Sequence, residues 1–287
     1  MLAALGAFLM FTLMNLFAKL LAVRHSVIEI AFYRNLVAFI PFLAIALVVR
    51  HSEIMVIRSK PTLVLGRAVL GTVSLATTFY AYSLMPMADT TAFLFASTLL
   101  VPILGVIFLQ ESVGIYRWSA IVVGFIGVLI MIRPTGQVNA LGVTVAMIAA
   151  SMHAVLQIIL RHIGKFERPE TVTFYFFLAG IVLTAISLPF IAVRPTASEI
   201  PLILGVGLTG AAAQFMLSTA FRNAPAAIVT LFNYSSIIWA TLFGWLIWND
   251  WPLPVVFLGA SIVIAANLLI IWRESLLRRV AGTSIIS

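Results

Sequence analysis

The segment PMADTTAFLFAS (residues 86–97) returns in altered form as PAAIVTLFNYSS (residues 225–236). A shift of 139 residues superposes the two segments and extends the match to Gly105 with Gly244 and to Glu111 with Asp250. Within the segments the matched pairs are Pro86 with Pro225, Thr91 with Thr230, Phe93 with Phe232, and Ser97 with Ser236. Both copies lie in long apolar stretches. One half of the chain is therefore predicted to be a second copy of the other half.

The composition indicates a membrane protein, because 63% of the 287 residues are hydrophobic and only 9% are charged. The mean hydropathy is +1.16. A membrane-spanning helix needs about 20 mostly apolar residues, so the chain has room for roughly ten spans. The predicted spans are 3–22, 28–49, 62–84, 87–109, 115–132, 139–161, 170–192, 200–220, 225–247 and 253–272. This predicts an all-α integral membrane protein.

Proline-containing turns separate these spans, as at residues 133–136 (RPTG) and 251–254 (WPLP). The first apolar segment is too long for a cleaved signal peptide and is expected to remain in the protein. The predicted organisation is a first five-helix repeat (1–134), a second five-helix repeat (135–273) and a cytoplasmic tail (274–287).

Lysine and arginine predict the orientation, since loops that stay in the cytoplasm are enriched in both. With a cytoplasmic N-terminus, the inside connections carry Arg50, Arg58, Lys60, Arg117, Arg161, Lys165, Arg168, Arg222, Arg273, Arg278 and Arg279. The outside connections carry only Arg24, Arg133 and Arg194. Both termini are therefore expected in the cytoplasm. Because five helices is an odd number, the second half enters from the opposite side, and the repeat is predicted to be inverted.

Several classes of chemistry have no support in the sequence. The net charge of +8 is spread over the connections and forms no run suited to nucleic acid. Cysteine is absent, the four histidines are far apart, and no nucleotide-binding glycine loop is present. We expect no enzyme, no metal and no cofactor.

Internal repeats in a membrane protein are typical of secondary transporters, in which two similar bundles rock about a shared site. The motifs also resemble the drug/metabolite transporter superfamily, in its ten-helix EamA-type branch. They are YAYSL at 80–84, then Pro86, Pro102, Gly105, Glu111, Trp118, Gly124 and Gly127, with FYR at 32–34. Within that branch the chain looks most like bacterial YddG-type exporters of aromatic and other amino acids.

The resemblance implies ten helices around a central cavity, lined by the first, third, fourth, sixth, eighth and ninth of them. The second copy departs from the first where Thr241 replaces Pro102, Val263 replaces Gly124 and Ala266 replaces Gly127. These changes predict two halves that share a fold but are not equivalent.

Polar side chains at helical spacing form stripes on those same six helices, and polar groups at membrane depth should face a protein interior or a wet cavity. The candidate substrate-binding residues are Asn15, Lys19, Thr78, Phe79, Tyr82, Phe95, Thr98, His153, Gln157, Gln214, Asn233, Tyr234 and Trp239. Asn15, His153, Gln157 and Asn233 would orient the amino and carboxyl groups of a solute. Lys19 would attract its carboxylate, and the aromatic rings would contact the rest.

Other readings of these residues stay open. Serine and threonine often bond to their own helix backbone, and asparagine and glutamine can join helices without touching a solute. Lys19 can equally extend to the headgroups. We expect Glu29 and Arg34 to be anchors near the outer surface and Arg67 to reach the cytoplasmic headgroups. Pro102 is expected to kink its helix.

The predicted function is export of neutral and aromatic amino acids across the inner membrane, with a small-molecule substrate and the lipid bilayer as partners. With no acid predicted near the middle of the membrane, uniport or exchange is expected, and His153 is the one deep side chain suited to carry protons. Alternatives are export of cationic drugs, organic phosphates or nucleotide sugars, proton-coupled antiport through His153, and a membrane scaffold. A monomer suffices, and the oligomeric state is left open.

Overall fold

The computed structural model describes residues 2–48, 55–109, 115–132, 139–163, 166–223 and 232–283. Its α-helices are α1 (Leu2–Leu21), α2 (Val27–Val48), α3 (Pro61–Leu84), α4 (Met87–Leu94), α5 (Ala96–Leu109), α6 (Ile115–Ile132), α7 (Ala140–Ile163), α8 (Pro169–Ala185), α9 (Leu188–Ile191), α10 (Ile200–Asn223), α11 (Ser235–Trp248) and α12 (Pro254–Thr283). A 3-10 turn at Phe232–Tyr234 precedes α11. These ranges contain no β-strand. Arg50, Glu111, Arg133, Lys165, Pro225 and Thr230, all used in the sequence argument, lie outside them.

Five helical segments are long and apolar enough to cross a membrane: Leu2–Leu21, Val27–Ala44, Pro61–Leu84, Ala140–Leu160 and Ile200–Leu217. Shorter apolar helices occupy Met87–Val101, Trp118–Ile130, Glu170–Ala185 and Pro254–Ala266. The chain is therefore a multi-pass membrane protein, as its composition predicts. The structure differs at α12, which continues to Thr283 into the segment predicted as a tail.

Helix packing follows the 139-residue shift. α1 packs along α10, and α7 packs along α3. The 139-residue shift relates α1 to α7 and α10 to α3. The α1–α10 contact in one case and the α7–α3 contact in the other are therefore equivalent. α2 packs against α8 and α6 against α12, and in each of these pairs the partner is the helix's own shifted counterpart. An element that contacts its own counterpart lies on a two-fold axis, so this pattern is typical of two halves related by a pseudo-two-fold.

The α6–α12 contact depends on glycine. A Cβ atom built at Gly127 would lie 2.7 Å from the carbonyl oxygen of Gly259 and 3.0 Å from Cβ of Ile262. Backbone cannot move aside as a flexible side chain can, so only a glycine permits this approach of the two helices.

The predicted span 87–109 is interrupted at Phe95, which separates α4 from α5. The Ser97 hydroxyl donates to the Leu94 carbonyl at 2.8 Å, and the Thr98 hydroxyl donates to the Phe95 carbonyl at 2.6 Å. Side chains thus satisfy carbonyls that the interrupted helix leaves open. α5 runs through Pro102, where the kink is predicted, and the interruption lies earlier, at Phe95.

Two buried carboxylates tie connections to the bundle. Glu167, before α8, accepts hydrogen bonds from the backbone N–H groups of Arg58 and Ser59 at 3.0 and 2.7 Å. Burial favours the neutral acid, but these N–H groups, with that of Lys60 and the charge of Arg58, outweigh it and hold the pKa of Glu167 below its usual range. The connection before α3 is thereby fixed to the end of α7.

The other carboxylate, Glu29, lies two residues into α2 and is fully buried. Its Oε1 lies 2.9 Å from Nδ1 of His25 and accepts from the Tyr33 hydroxyl and the Val193 N–H, both at 3.1 Å. Glu29 is an anchor, as predicted, but its partners are protein groups from the α1–α2 connection and the segment before α10.

Candidate functional site

Phe95 and Tyr234 meet at two helix boundaries that the 139-residue shift relates. Phe95 separates α4 from α5, and Tyr234 is the last residue of the 3-10 turn that precedes α11. Their rings pack edge to face with centroids 5.2 Å apart. Thr98, whose hydroxyl donates to the Phe95 carbonyl, lies near the Tyr234 hydroxyl. Three predicted site residues from two distant parts of the sequence thus form one cluster.

A hydrogen bond joins α3 and α4, and Asn15 of α1 lies beside it. The Thr91 hydroxyl donates to the Met87 carbonyl at 2.8 Å, so its oxygen accepts from the Tyr82 hydroxyl, 2.9 Å away. The Asn15 side chain lies near the Tyr82 hydroxyl. Among the described residues, Oδ1 of Asn15 is buried and has no hydrogen-bond partner. Asn15 therefore presents an open acceptor in the interior of the bundle.

His153 contacts Thr78, one turn before Tyr82 on α3. The Thr78 hydroxyl donates to the Ser74 carbonyl at 2.8 Å. Its oxygen lies 3.2 Å from Nε2 of His153, so the imidazole must be the donor. The structure thus brings His153 of α7 onto the same helix that carries Tyr82.

Lys19 is held by protein groups. Its Nζ donates to the Met85 carbonyl at 2.6 Å and lies 4.9 Å from the centre of the Trp248 ring. The carboxylates of Asp250 and Asp89 also attract it electrostatically. Lys19 therefore has counter-charges of its own and is less suited than predicted to attract a solute carboxylate.

The remaining predicted residues are dispersed. Phe79 is packed into the core formed by α1, α2 and α10. Asn233 accepts from the Ser236 hydroxyl at 3.5 Å, and Nε1 of Trp239 is buried without a partner. Gln157 and Gln214 are partly exposed.

The structure has a groove of about 520 Å³ between α3 and α7, away from the predicted site. It is lined by Leu70, Val143, Thr144, Met147, Ile148, Ser151, Met152 and Val155. At about 100° per residue, Ser151 lies nearly opposite His153 around α7. The groove is apolar and its serine bonds to the Met147 carbonyl of its own helix, as befits a lipid-facing surface.

Sequence reasoning missed two interior arginines. Arg34 is 1% exposed, and among the described residues the Nε and Nη1 atoms of Arg67 are buried without partners. Arg67 extends towards Gly71, one turn further into α3, and so away from the start of the helix. The sequence predicts surface anchoring of both side chains, whereas in the structure aromatic rings of α8 contact both guanidinium groups.

Comparison with known proteins agrees with this architecture. The model of the EamA-like transporter family matches residues 1–133 and, a second time, residues 140–272. The chain belongs to the EamA-like transporter family. The resemblance drawn from the motifs is thus confirmed, and the chain is a membrane transporter, not an enzyme.

Individual EamA-type relatives carry different solutes. The chain is 28% identical to an S-adenosylmethionine uptake transporter of Rickettsia bellii, covering 91% of this chain and 89% of that one. It is 27% identical to the pseudopaline exporter CntI of Pseudomonas aeruginosa, covering 93% of each. A riboflavin transporter of Rhizobium johnstonii is 28% identical over 73% of this chain and 70% of its own.

One crystal structure shares the fold over 96% of this chain and 98% of its own, with a TM-score of 0.64. The sequence identity is 16%, so this likeness concerns the fold alone. The named relatives are transporters or exporters of different metabolites, and they do not show which solute this chain carries.

Proposed function

We propose that the protein is an alternating-access transporter of the bacterial inner membrane that exports neutral and aromatic amino acids. Two inverted five-helix halves would enclose one site and open it to one side at a time. Both termini would lie in the cytoplasm, as the distribution of lysine and arginine predicts.

The contact between Phe95 and Tyr234 carries this proposal. Irregular backbone beside helices at corresponding positions of two repeats is typical of a transporter's central site. Here the helix boundaries at Phe95 and Tyr234 correspond under the 139-residue shift, and the two rings contact each other. The matched helix pairs, α1 with α10 and α7 with α3, support the same two-fold arrangement.

The polar groups around this contact suit a zwitterion. The open Oδ1 of Asn15 can accept a hydrogen bond from an ammonium group, which has three donors and no acceptor. Phe95 and Tyr234 offer ring faces and edges to an apolar or aromatic side chain. His153, Gln157 and Asn233 would complete the polar contacts.

Uniport or exchange along the solute gradient fits the charges of the interior. In the described part of the chain, the buried Glu167 accepts backbone hydrogen bonds, and Oε1 of the buried Glu29 accepts from Tyr33 and Val193 while its Oε2 has no partner. Neither carboxylate hydrogen-bonds with a residue of the proposed site. Such a carrier has no fixed direction, which fits a family containing both an uptake transporter and an exporter.

Counterflow in proteoliposomes tests the proposal. Vesicles are loaded with one unlabelled amino acid, and entry of labelled phenylalanine is followed for wild type, Asn15→Leu and Ser151→Ala, the last on the opposite, lipid-facing side of α7. Saturable counterflow that Asn15→Leu impairs and Ser151→Ala preserves would support amino-acid transport at this site. Absence of counterflow with every amino acid, alongside counterflow of another metabolite, would overturn the proposed substrate class.

A further inference from the structure

Arg34 is a fully buried cation in the middle of the helix bundle. Its guanidinium lies 4.9 Å from the ring centre of Phe177 and 5.2 Å from that of Phe176, both on α8. On the α10 side, Nε lies 2.9 Å from where a Cβ of Gly210 would be, so only a residue without a side chain fits there. Nη1 donates to Oδ1 of Asn35 at 2.9 Å, and Nε has no partner.

Arg67 approaches the same aromatic ring from α3. Its guanidinium carbon lies 4.6 Å from the centre of Phe176, and its Nε and Nη1 are buried without partners. The two guanidinium groups are close enough to repel each other. Nδ2 of Asn35 is a further buried donor without a partner. These three side chains therefore bring several unused donors and two positive charges into one region.

Within the described residues, neither arginine has a carboxylate partner. Arg67 is the one charged group of the described residues that acts electrostatically on Arg34. No charged group acts on Arg67 to a similar extent. Burial of an unpaired charge is unfavourable. The π faces of Phe176 and Phe177 offset part of this cost. Among the described residues, Nε of Arg34 and Nε and Nη1 of Arg67 still have no acceptor, so a stabilising anion is missing.

A merely structural explanation accounts poorly for the pair. An arginine that joins helices needs only neutral acceptors such as carbonyls, and an arginine that anchors a helix reaches the headgroups. Arg34 and Arg67 do neither, and they repel each other. Lys19, by contrast, already has the Met85 carbonyl and the carboxylates of Asp89 and Asp250. Unlike Lys19, Arg34 and Arg67 have no negatively charged partner among the described residues.

We propose that Arg34 and Arg67, with the Asn35 amide, bind the carboxylate of the transported solute. This assignment rests on the proposed transport of amino acids, and it identifies the side chains that would select a solute with a carboxylate. Planar guanidinium groups suit a carboxylate because both carry their hydrogen-bonding atoms in matching forks. Both guanidinium groups contact the Phe176 ring, which would have to shift to admit the carboxylate. The sulfur of Met14 lies 3.1 Å from the Cβ position of Gly210, and Met14 is the chain neighbour of Asn15, so α1 connects this region with the open acceptor of Asn15.

Competition in the counterflow assay tests whether the protein recognises the carboxylate of the solute. Phenylalanine should compete with labelled phenylalanine, whereas phenylalaninamide, which keeps the amine and the ring, should not. Arg34→Gln and Arg67→Gln should each weaken phenylalanine binding roughly 10- to 100-fold, the cost of a lost charged hydrogen bond. Arg34→Lys should restore little, because an ammonium lacks the fork. Arg194→Gln removes an exposed charge and should match wild type. Equal competition by the amide, or wild-type affinity in both glutamine variants, would overturn the proposal.

Thermal unfolding of the purified protein tests anion binding at the arginines independently of amino-acid transport. Sodium acetate should raise the Tm of wild type above that in sodium chloride of equal ionic strength, and should not do so for Arg34→Gln or Arg67→Gln. Without acetate, both variants should unfold at or above the wild-type Tm, since each removes an unpaired buried charge. If acetate acts in this way and no amino acid is carried, the anion site stands and the amino-acid assignment fails. If phosphatidylglycerol vesicles give the stabilisation and acetate does not, the arginines bind a lipid headgroup and the solute role is wrong.

Discussion

Phe95 and Tyr234 are 139 residues apart, occupy equivalent positions in the two halves, and touch each other. Their backbone angles are almost the same, with φ −63° and ψ −18° at Phe95 and φ −65° and ψ −20° at Tyr234. Residues that contact their own counterparts lie on the axis relating the two copies. The helix boundaries at Phe95 and Tyr234 thus contact each other, as a pseudo-two-fold arrangement of the two halves would require.

The first prediction concerns this ring pair. Phe95→Leu, Tyr234→Leu and the double variant form a cycle that removes the ring contact while keeping apolar bulk. We expect a coupling free energy of about 0.5–1.5 kcal/mol, the usual range for an edge-to-face pair. Thermal unfolding of the four proteins in one detergent measures it. Strict additivity of the two single changes would show that the rings are neighbours without interacting.

The second prediction concerns proton coupling at His153. Because its Nε2–H is used by Thr78, the imidazole serves as a structural donor, and export should not require protons. Initial rates of phenylalanine efflux from proteoliposomes should be the same with and without an imposed pH gradient, in wild type and in Ser151→Ala. Strict dependence on the gradient that persists in His153→Ala would contradict both uncoupled transport and the choice of His153 as the only deep proton carrier.

The third prediction compares two glycines. Gly127→Ala should destabilise the protein by about 1–3 kcal/mol, because the new methyl group would meet the Gly259 backbone at 2.7 Å. Gly66→Ala is the matched control, since nothing lies within 4 Å of its Cβ position. There we expect no loss and a gain of up to about 1 kcal/mol from helix propensity. Equal effects in thermal unfolding would mean that α6 and α12 do not pack as closely as described.

The fourth prediction concerns acid stability at Glu199, in the connection before α10. The backbone N–H and the hydroxyl of Thr196 hold the pKa of Glu199 at about 2, below its usual 4.5. Because the folded pKa is the lower one, the carboxylate stabilises the fold fully above about pH 4.5 and loses this effect as the pH falls towards 2. The Tm difference between wild type and Glu199→Gln should therefore shrink over that window. A difference that does not vary with pH would show that the carboxylate is not held as described.

Much of the helical layout follows from local sequence. The spans predicted at 62–84 and 115–132 correspond to α3 (Pro61–Leu84) and α6 (Ile115–Ile132), because proline and polar connections limit apolar runs of membrane length. The interruption at Phe95 could not be predicted in this way. No glycine or proline marks it, and the carbonyls it opens are satisfied by Ser97 and Thr98, residues that are common inside membrane helices.

The site was predictable in part for a related reason. Helical spacing placed Asn15, Tyr82 and His153 on interior faces, where the structure has them. It could not find Arg34 and Arg67, since a long cationic side chain a few residues inside a helix ordinarily extends to the surface. What keeps them inside is Phe176 and Phe177, more than a hundred positions away in the sequence. Only tertiary packing reveals that arrangement.

Alternating access at the centre is tested most directly by thiol labelling, because the chain has no cysteine. Thr98→Cys places a thiol beside Tyr234, Ser198→Cys places one in an exposed connection, and Ser151→Cys places one on the lipid-facing side of α7. A membrane-impermeant maleimide is applied to sealed vesicles of either orientation. We predict that the thiol at position 98 is labelled from both sides and protected by phenylalanine, the thiol at position 198 from one side, and the thiol at position 151 from neither. Labelling at position 98 from one side only, in the presence and absence of phenylalanine, would contradict the account.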